Sequence, residues 1–255
     1  MRSAAIVAAG RGRRGPSQGG IGKLATLQVL SAGAVKPALA TIGPAFEAAE
    51  GIAIAATFGP APELRERTKG GTGAFGVVIG PQSLIAALID EGKLVADSRR
   101  ALGGVKAAIA LHRDARVPDL STLDAVRAAV RAASAIVYNT ASSGQYIDDM
   151  IKGLGIAEEV EPRVHRFPTA EDAMRFLGSD AGRDAIGFGQ SSAIRGYEKT
   201  LGVRQAAALP NAIGNVTRYE AARTATAPDA AAAQAFVVFL AGPEGRRHLA
   251  ATGVE

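Results

Sequence analysis

The order of apolar segments and amphipathic helices along the chain is the feature that most constrains its fold. A strand-like segment at 26–30 precedes a predicted helix at 37–50, in which Leu39, Ile42 and Phe46 recur at helical spacing. The same unit recurs, with helices between further strands at 52–58, 75–79, 105–111, 135–138, 163–167 and 185–188. This alternation predicts an α/β fold in which helices cover parallel strands.

The pattern also divides the chain into two lobes. The strand at 105–111 leads out of a first set of strand–helix units, and the chain crosses back near 215–222 before two final helices. We therefore expect two Rossmann-like lobes joined by crossover strands. The first lobe would hold residues 23–110 and 216–255, and the second would hold residues 111–215. Lobes of this size are common, since most domains have roughly 100–150 residues.

The residues before this pattern, 1–22, have a different composition. Their apolar stretch at 4–9 is short, and a Gly- and Arg-rich segment follows it, which is not typical of a secretory leader. We expect a disordered tail here. Residues 10–15 also match G-x-G-x-x-G and resemble the nucleotide-binding loop of sugar-nucleotide and cytidylyl transferases, so a nucleotidyltransferase is one alternative function.

Composition argues against several classes of protein. The chain has no cysteine, and its three histidines (His112, His165 and His248) lack metal-site spacing, so we expect no metal and no cofactor. The net charge of +5 comes from scattered basic residues, and aromatic residues make up only 5% of the chain. We therefore expect no nucleic-acid partner. No apolar run reaches the roughly 18 residues of a membrane span.

Five sequence blocks occur in the order seen in one protein family. They are VLSAGAVKPAL, TFGPAPELRERTKGG, VVIGPQSLIAALIDEGKLV, VYNTASSGQYIDDMIKGLGI and GFGQSSAI. Together they resemble periplasmic molybdate-type solute-binding proteins of ABC transporters over about residues 26–252. The resemblance implies the type II periplasmic binding protein fold and a small anion bound between the lobes. It also implies a monomer that delivers the anion to a membrane ABC permease in the periplasm, without catalysis.

By the same resemblance, the loops that precede helices form the ligand site. Helix N-termini and hydroxyl groups can hold an anion without a metal, because both present hydrogen-bond donors. The implied contacts are Ser31, Gly33, Gly59, Ala61, Ser143, Gly144, Gly189, Gln190 and Tyr219. An alternative interpretation is that the serines only cap helices and the glycines only form tight turns.

Departures from the family pattern bear on the ligand. The second loop has Gly59-Pro60 where binders of tetrahedral oxyanions tend to offer a hydroxyl, and Pro60 has no N–H to donate. This disfavours molybdate itself, and we expect the ligand to be a small anion, either an oxyanion or an organic acid. Some proteins of this fold isomerise tricarboxylic acids such as aconitate, which needs a general base. The candidate bases for that alternative are His112, Tyr146 and Tyr219.

Overall fold

A computed structural model describes residues 25–70, 75–140 and 142–255 of the protein. The predicted tail at 1–22, with its Gly/Arg loop, lies outside the described residues. Within them, no helix is both long enough and apolar enough to cross a bilayer.

The first strand–helix units begin within two residues of their predicted positions. They comprise β1 (Ala25–Ala32), α1 (Lys36–Glu50), β2 (Ile52–Gly59), α2 (Ala61–Lys69), β3 (Val77–Pro81) and α3 (Gln82–Asp90). Gly51 ends α1 with a positive φ of 70°, a conformation that glycine adopts at little cost. The chain therefore turns directly from α1 into β2.

The rest of the chain continues the alternation and then returns. It comprises β4 (Arg100–His112), α4 (Leu123–Ala132), β5 (Ile136–Asn139), α5 (Ser142–Gly153), α6 (Ala157–Val160), β6 (Val164–Phe167), α7 (Ala170–Leu177), β7 (Ile186–Gln190), α8 (Ser191–Tyr197), β8 (Val203–Ala208), β9 (Val216–Arg223), α9 (Ala230–Ala241) and α10 (Pro243–Ala251). Helix α5 begins three residues before its predicted start at Gln145.

The strands follow the order β2-β1-β3-β9-β4-β7-β5-β6, and β8 pairs with β4. The pairs β1–β2, β1–β3, β5–β6 and β5–β7 are parallel, as predicted. The pairs of β9 with β3 and β4, and those of β4 with β7 and β8, are antiparallel. The sheet is therefore mixed: the strand–helix units pair in parallel as predicted, and the antiparallel pairs are a feature that the alternation did not indicate. Each of these antiparallel pairs contains β4 or β9, the two strands that carry the chain from one lobe to the other.

The strand β4 is longer than the predicted segment at 105–111. Its first residues include Gly103, at a φ of 140°, and the register with β9 shifts between Ala101 and Gly103. The last residue of the chain pairs here, where the Glu255 N–H donates to the Gly104 carbonyl at 2.9 Å. The sequence did not indicate this part of the strand, because glycine has a low strand propensity and the pairing residue, Glu255, lies at the far end of the sequence.

Buried apolar side chains pack separately on either side of the crossover. In the first lobe, Phe46 of α1 lies 5.0 Å from Phe236 and 5.3 Å from Phe239 of α9, measured between ring centroids. Along β4, Val105 packs into this core, whereas Ile109 packs into a second core below β5 and β7. The molecule therefore has two lobes, while the residue boundaries proposed for them above stay a prediction.

Candidate functional site

A cleft with a cavity volume of about 220 Å³ opens between the two lobes. The first lobe contributes the end of β1, the start of α1, the β2–α2 turn and Pro81. The second lobe contributes Asn139, the β6–α7 turn, the end of β7 and part of α8, and Tyr219 of β9 adds to the wall. Apart from Tyr197 at the end of α8 and Tyr219 within β9, these segments lie at strand ends or helix starts, which is where ligands bind in open α/β sheets.

Several helices begin at the cleft wall. Lys36 begins α1, Ala61 begins α2 and Ala170 begins α7. Ala34 and Thr169, which come just before α1 and α7, also line the cleft. The Thr169 hydroxyl accepts a hydrogen bond from the Asp172 N–H at 3.1 Å, which caps α7. The first N–H groups of a helix have no partner within it, and the helix dipole favours negative charge there. The wall thus carries the positive ends of three helix dipoles, but the Lys36 N–H already donates to the Gly33 carbonyl, and Pro37 and Pro62 have no N–H.

Six of the nine residues implied as ligand contacts line this cleft. They are Gly33, Gly59, Ala61, Gly189, Gln190 and Tyr219. They come from four separate parts of the chain, at 33, 59–61, 189–190 and 219, so the fold has brought separate segments together. Their role as ligand contacts stays a prediction.

The other three residues stand elsewhere. Ser31 is fully buried in β1, where its hydroxyl donates to the Ala32 carbonyl at 3.2 Å, and it is not part of the cleft wall. Ser143 lies in the first turn of α5, but its side chain lies outside the described part of the structure. Gly144 is buried next to the Asn139 carbonyl. Asn139 itself lines the cleft, so the start of α5 lies directly behind the wall.

A short chain of hydrogen bonds fixes the floor of the cleft. The Tyr219 hydroxyl donates to Gln190 Oε1 at 2.8 Å, and Gln190 Nε2 donates to Thr217 Oγ1 at 3.2 Å. Burial raises the pKa of Tyr219 far above its ordinary value, although the hydrogen bond to Gln190 acts in the opposite direction. The phenol therefore stays protonated at neutral pH and offers a neutral, oriented polar surface.

Sequence reasoning missed the charged residues of the wall and two of its aromatic residues, Phe58 and Tyr197. Lys36 of α1 and Glu171 of α7 face each other, with Nζ and Oε2 3.5 Å apart, and Lys36 Nζ lies 5.8 Å from the centre of the Phe58 ring. Tyr197 lines the cleft nearby. The position of Lys36 beside Pro37 marks a helix start, but no local signal indicates that it meets a residue 135 positions away.

Two of the three candidate bases lie away from the cleft wall. His112 is buried at the end of β4, where its Nδ1 accepts from the Asp114 N–H at 3.2 Å. The Tyr146 hydroxyl donates to the Ile213 carbonyl. Tyr219 lines the cleft, but its hydroxyl is already a donor to Gln190. In the ranges that the structure describes, no group of three or more His, Asp or Glu residues is arranged to hold a metal.

Residues 27–255 match the model of the bacterial extracellular solute-binding protein family. The chain belongs to this family. Among solved structures, this solute-binding protein is similar to the periplasmic molybdate-binding protein of Azotobacter vinelandii, with a TM-score of 0.76 and 16% identity over 90% of this chain and 98% of that one. It is also similar to the sulfate-binding protein of Mycobacterium tuberculosis, with a TM-score of 0.71 and 16% identity over 90% and 86% of the two chains. These similarities confirm the predicted type II periplasmic binding protein fold.

A curated relative has a different activity in its name. The solute-binding protein is 25% identical over 235 residues to an aconitate isomerase from a Pseudomonas species. The aligned region covers 90% of this chain and 87% of the isomerase. The family match begins after the Gly/Arg loop at 10–15, and the nucleotidyltransferase alternative stays untested.

The hydrogen bond at the cleft floor leads to a stability prediction. Tyr219→Phe removes the hydroxyl that donates to the buried side-chain oxygen Oε1 of Gln190. We therefore expect the free energy of unfolding of the solute-binding protein to fall by about 1–2 kcal/mol. Urea unfolding measures it. Tyr197→Phe is a matched control, because the Tyr197 hydroxyl makes no hydrogen bond within the described residues. An equal loss in both variants would contradict the prediction.

Proposed function

We propose that this protein captures a small organic carboxylate anion in the cleft between its lobes and delivers it to a membrane ABC permease. In this proposal it acts in the periplasm as a monomer, without a cofactor or a nucleic-acid partner. Closure of the two lobes on the ligand would create the form that the permease recognises. The proposal extends family membership to a ligand class and a transport partner.

The observation that carries the proposal is the meeting of three helix starts on one cleft. The first residues of α1, α2 and α7 all lie on its wall. Each adds the partial positive charge of its dipole, typically stabilising an anion by about 0.3–1 kcal/mol per helix. N–H donors are fewer, because the Lys36 N–H already donates to the Gly33 carbonyl and Pro37 and Pro62 have none. Lys36 also lies on this wall, but Glu171 balances its charge, so the net attraction for an anion comes from the helix starts. An anion is therefore the ligand that this wall suits.

The chemistry of the wall favours an organic acid over a tetrahedral oxyanion. Phe58, Pro60, Pro81, Pro168 and Tyr197 give the cleft large apolar surfaces, and the prolines have no N–H to donate. Such surfaces suit the carbon chain of an organic acid, which a tetrahedral oxyanion lacks.

Isomerisation of aconitate is a second candidate, because one relative with this activity matches nearly the whole chain. The reaction moves a proton between carbon atoms, so a base must lie beside the bound acid. Within the described wall, Glu171 is the one carboxylate. Tyr219 suits this task poorly, since its raised pKa keeps it protonated. Binding without conversion is therefore the better-supported function.

A ligand screen tests the proposal. We expect at least one organic acid among butyrate, glutarate, tricarballylate, citrate and aconitate to raise the melting temperature of the purified protein more than molybdate, tungstate, sulfate or phosphate do, since a ligand of the folded state stabilises it. CTP with Mg²⁺ is included as the nucleotide probe. A shift with the inorganic oxyanions alone, or with the nucleotide alone, would contradict the proposed ligand class.

Proton NMR of aconitate incubated with the protein separates binding from catalysis. We expect the cis and trans signals to keep their initial ratio over many hours at catalytic protein concentrations. Protein-dependent conversion, lost in Glu171→Gln, would establish the isomerase instead.

A further inference from the structure

One ion pair spans the cleft between the lobes. Lys36 begins α1 in the first lobe, Glu171 lies in the first turn of α7 in the second, and both line the cavity. Their Nζ and Oε2 atoms are 3.5 Å apart, and the other oxygen of Glu171, Oε1, accepts from Arg175 at 3.0 Å. The carboxylate of Glu171 thus contacts two cations, one of which is the positive charge that an anionic ligand needs.

These two residues are the full charges among the lining residues that the structure describes. The pair has no net charge, so the remaining attraction for an anion comes from the helix dipoles and N–H groups. The charge of Glu171 also acts on Tyr197, another residue of the wall. Burial raises the pKa of Tyr197, and the negative charges of Glu171 and Asp172 raise that pKa further. A ligand carboxylate placed near Lys36 must therefore compete with a carboxylate that is already there.

We propose that Glu171 determines the charge selectivity of the cleft by occupying Lys36 and by repelling each additional negative charge of the ligand. This inference rests on the proposed function, because it concerns the same cleft and the same class of organic anions. Glu171 acts as a specificity-determining residue, and Lys36 is the residue that it competes for. The site would then favour acids of low charge over acids with several carboxylates.

The physical basis gives the inference a characteristic dependence on ligand charge. The Coulomb energy between Glu171 and a ligand is proportional to the charge of the ligand. Removing the Glu171 charge should therefore multiply the affinity by a similar factor for each carboxylate that the ligand carries. A residue with a merely structural role would change all affinities by one factor.

The test compares wild type with Glu171→Gln by isothermal titration calorimetry at pH 8 and low salt. The probes are butyrate, glutarate and tricarballylate, which carry one, two and three carboxylates on a three-carbon chain. We expect Glu171→Gln to bind them about 3-fold, about 10-fold and about 30-fold more tightly than wild type. Added salt should reduce these ratios, because it screens a pair that is partly exposed.

Glu244→Gln is the matched control. Glu244 also lies in the first turn of a helix and pairs with an arginine, but it is outside the cleft, and its substitution should leave all three affinities unchanged. Lys36→Met should lower the three affinities, most strongly for tricarballylate. A ratio that is the same for all three acids, or weaker binding in Glu171→Gln, overturns this inference alone. If no acid binds to wild type or Glu171→Gln, the proposed function fails and the inference fails with it.

Discussion

Gly144→Ala is expected to lower the free energy of unfolding by about 3 kcal/mol. A Cβ atom at this position would lie 1.7 Å from the Asn139 carbonyl oxygen and 2.8 Å from its carbon. Both are backbone atoms, so no flexible side chain can move away, and the start of α5 must shift from the end of β5. Overpacking of this kind typically costs about 1–3 kcal/mol, and a backbone clash belongs at the upper end. Urea unfolding followed by circular dichroism measures the loss.

Gly153→Ala gives the control within the same helix. Gly153 is the last residue of α5, and a Cβ atom there would meet nothing within 4 Å. Alanine has a higher helix propensity than glycine, so we expect stability to stay the same or rise by up to about 1 kcal/mol. A comparable loss in the two variants would mean that the packing of Gly144 against Asn139 does not matter. Because Asn139 lines the cleft, Gly144→Ala should also weaken ligand binding.

Gly33→Leu should abolish ligand binding, with a loss of affinity of at least about 100-fold, and leave the fold intact. Gly33 is exposed on the cleft wall between β1 and α1, and a Cβ atom there would meet nothing within 4 Å. Its φ is not in the left-handed region, so a larger residue fits the backbone. The four carbons of the leucine side chain would then occupy a cavity of about 220 Å³ and cover the start of α1. Calorimetry with the most stabilising acid of the screen measures the loss.

Two controls accompany this variant. Gly33→Ala adds a single carbon and should retain most of the affinity, whereas Gly153→Leu makes the same replacement on an exposed helix end that does not line the cleft. All three variants should melt within a few degrees of wild type. Unchanged binding by a folded Gly33→Leu would show that the ligand does not occupy this part of the cleft.

Local sequence patterns predicted most of the secondary structure because their causes are local. Helix α7 spans Ala170–Leu177 as predicted, since Thr169 caps it and its apolar residues recur at helical spacing. Helix α10 likewise spans Pro243–Ala251 as predicted, with proline at its first position. The start of β4 was missed for the opposite reason, because its partner Glu255 lies about 150 residues further along the chain.

The candidate site shows the same division. The resemblance of the sequence blocks to molybdate-type solute-binding proteins indicated Gly33, Gly59, Gly189 and Gln190, which all line the cleft. The sequence alone did not indicate that Ser31 is buried in β1 and does not line the cleft. Alternation along a strand leaves open which of its two faces meets the core.

The sequence by itself thus determined the order of strand–helix units, the turns between them and the loops that could form a site. Only the tertiary structure decided which of those loops meet, that Lys36 faces Glu171, and that Tyr219 binds Gln190. The reason is physical: propensities, caps and periodicity act between residues a few positions apart. Contacts across the cleft depend on sheet register and on how the two lobes pack, which are properties of the whole chain.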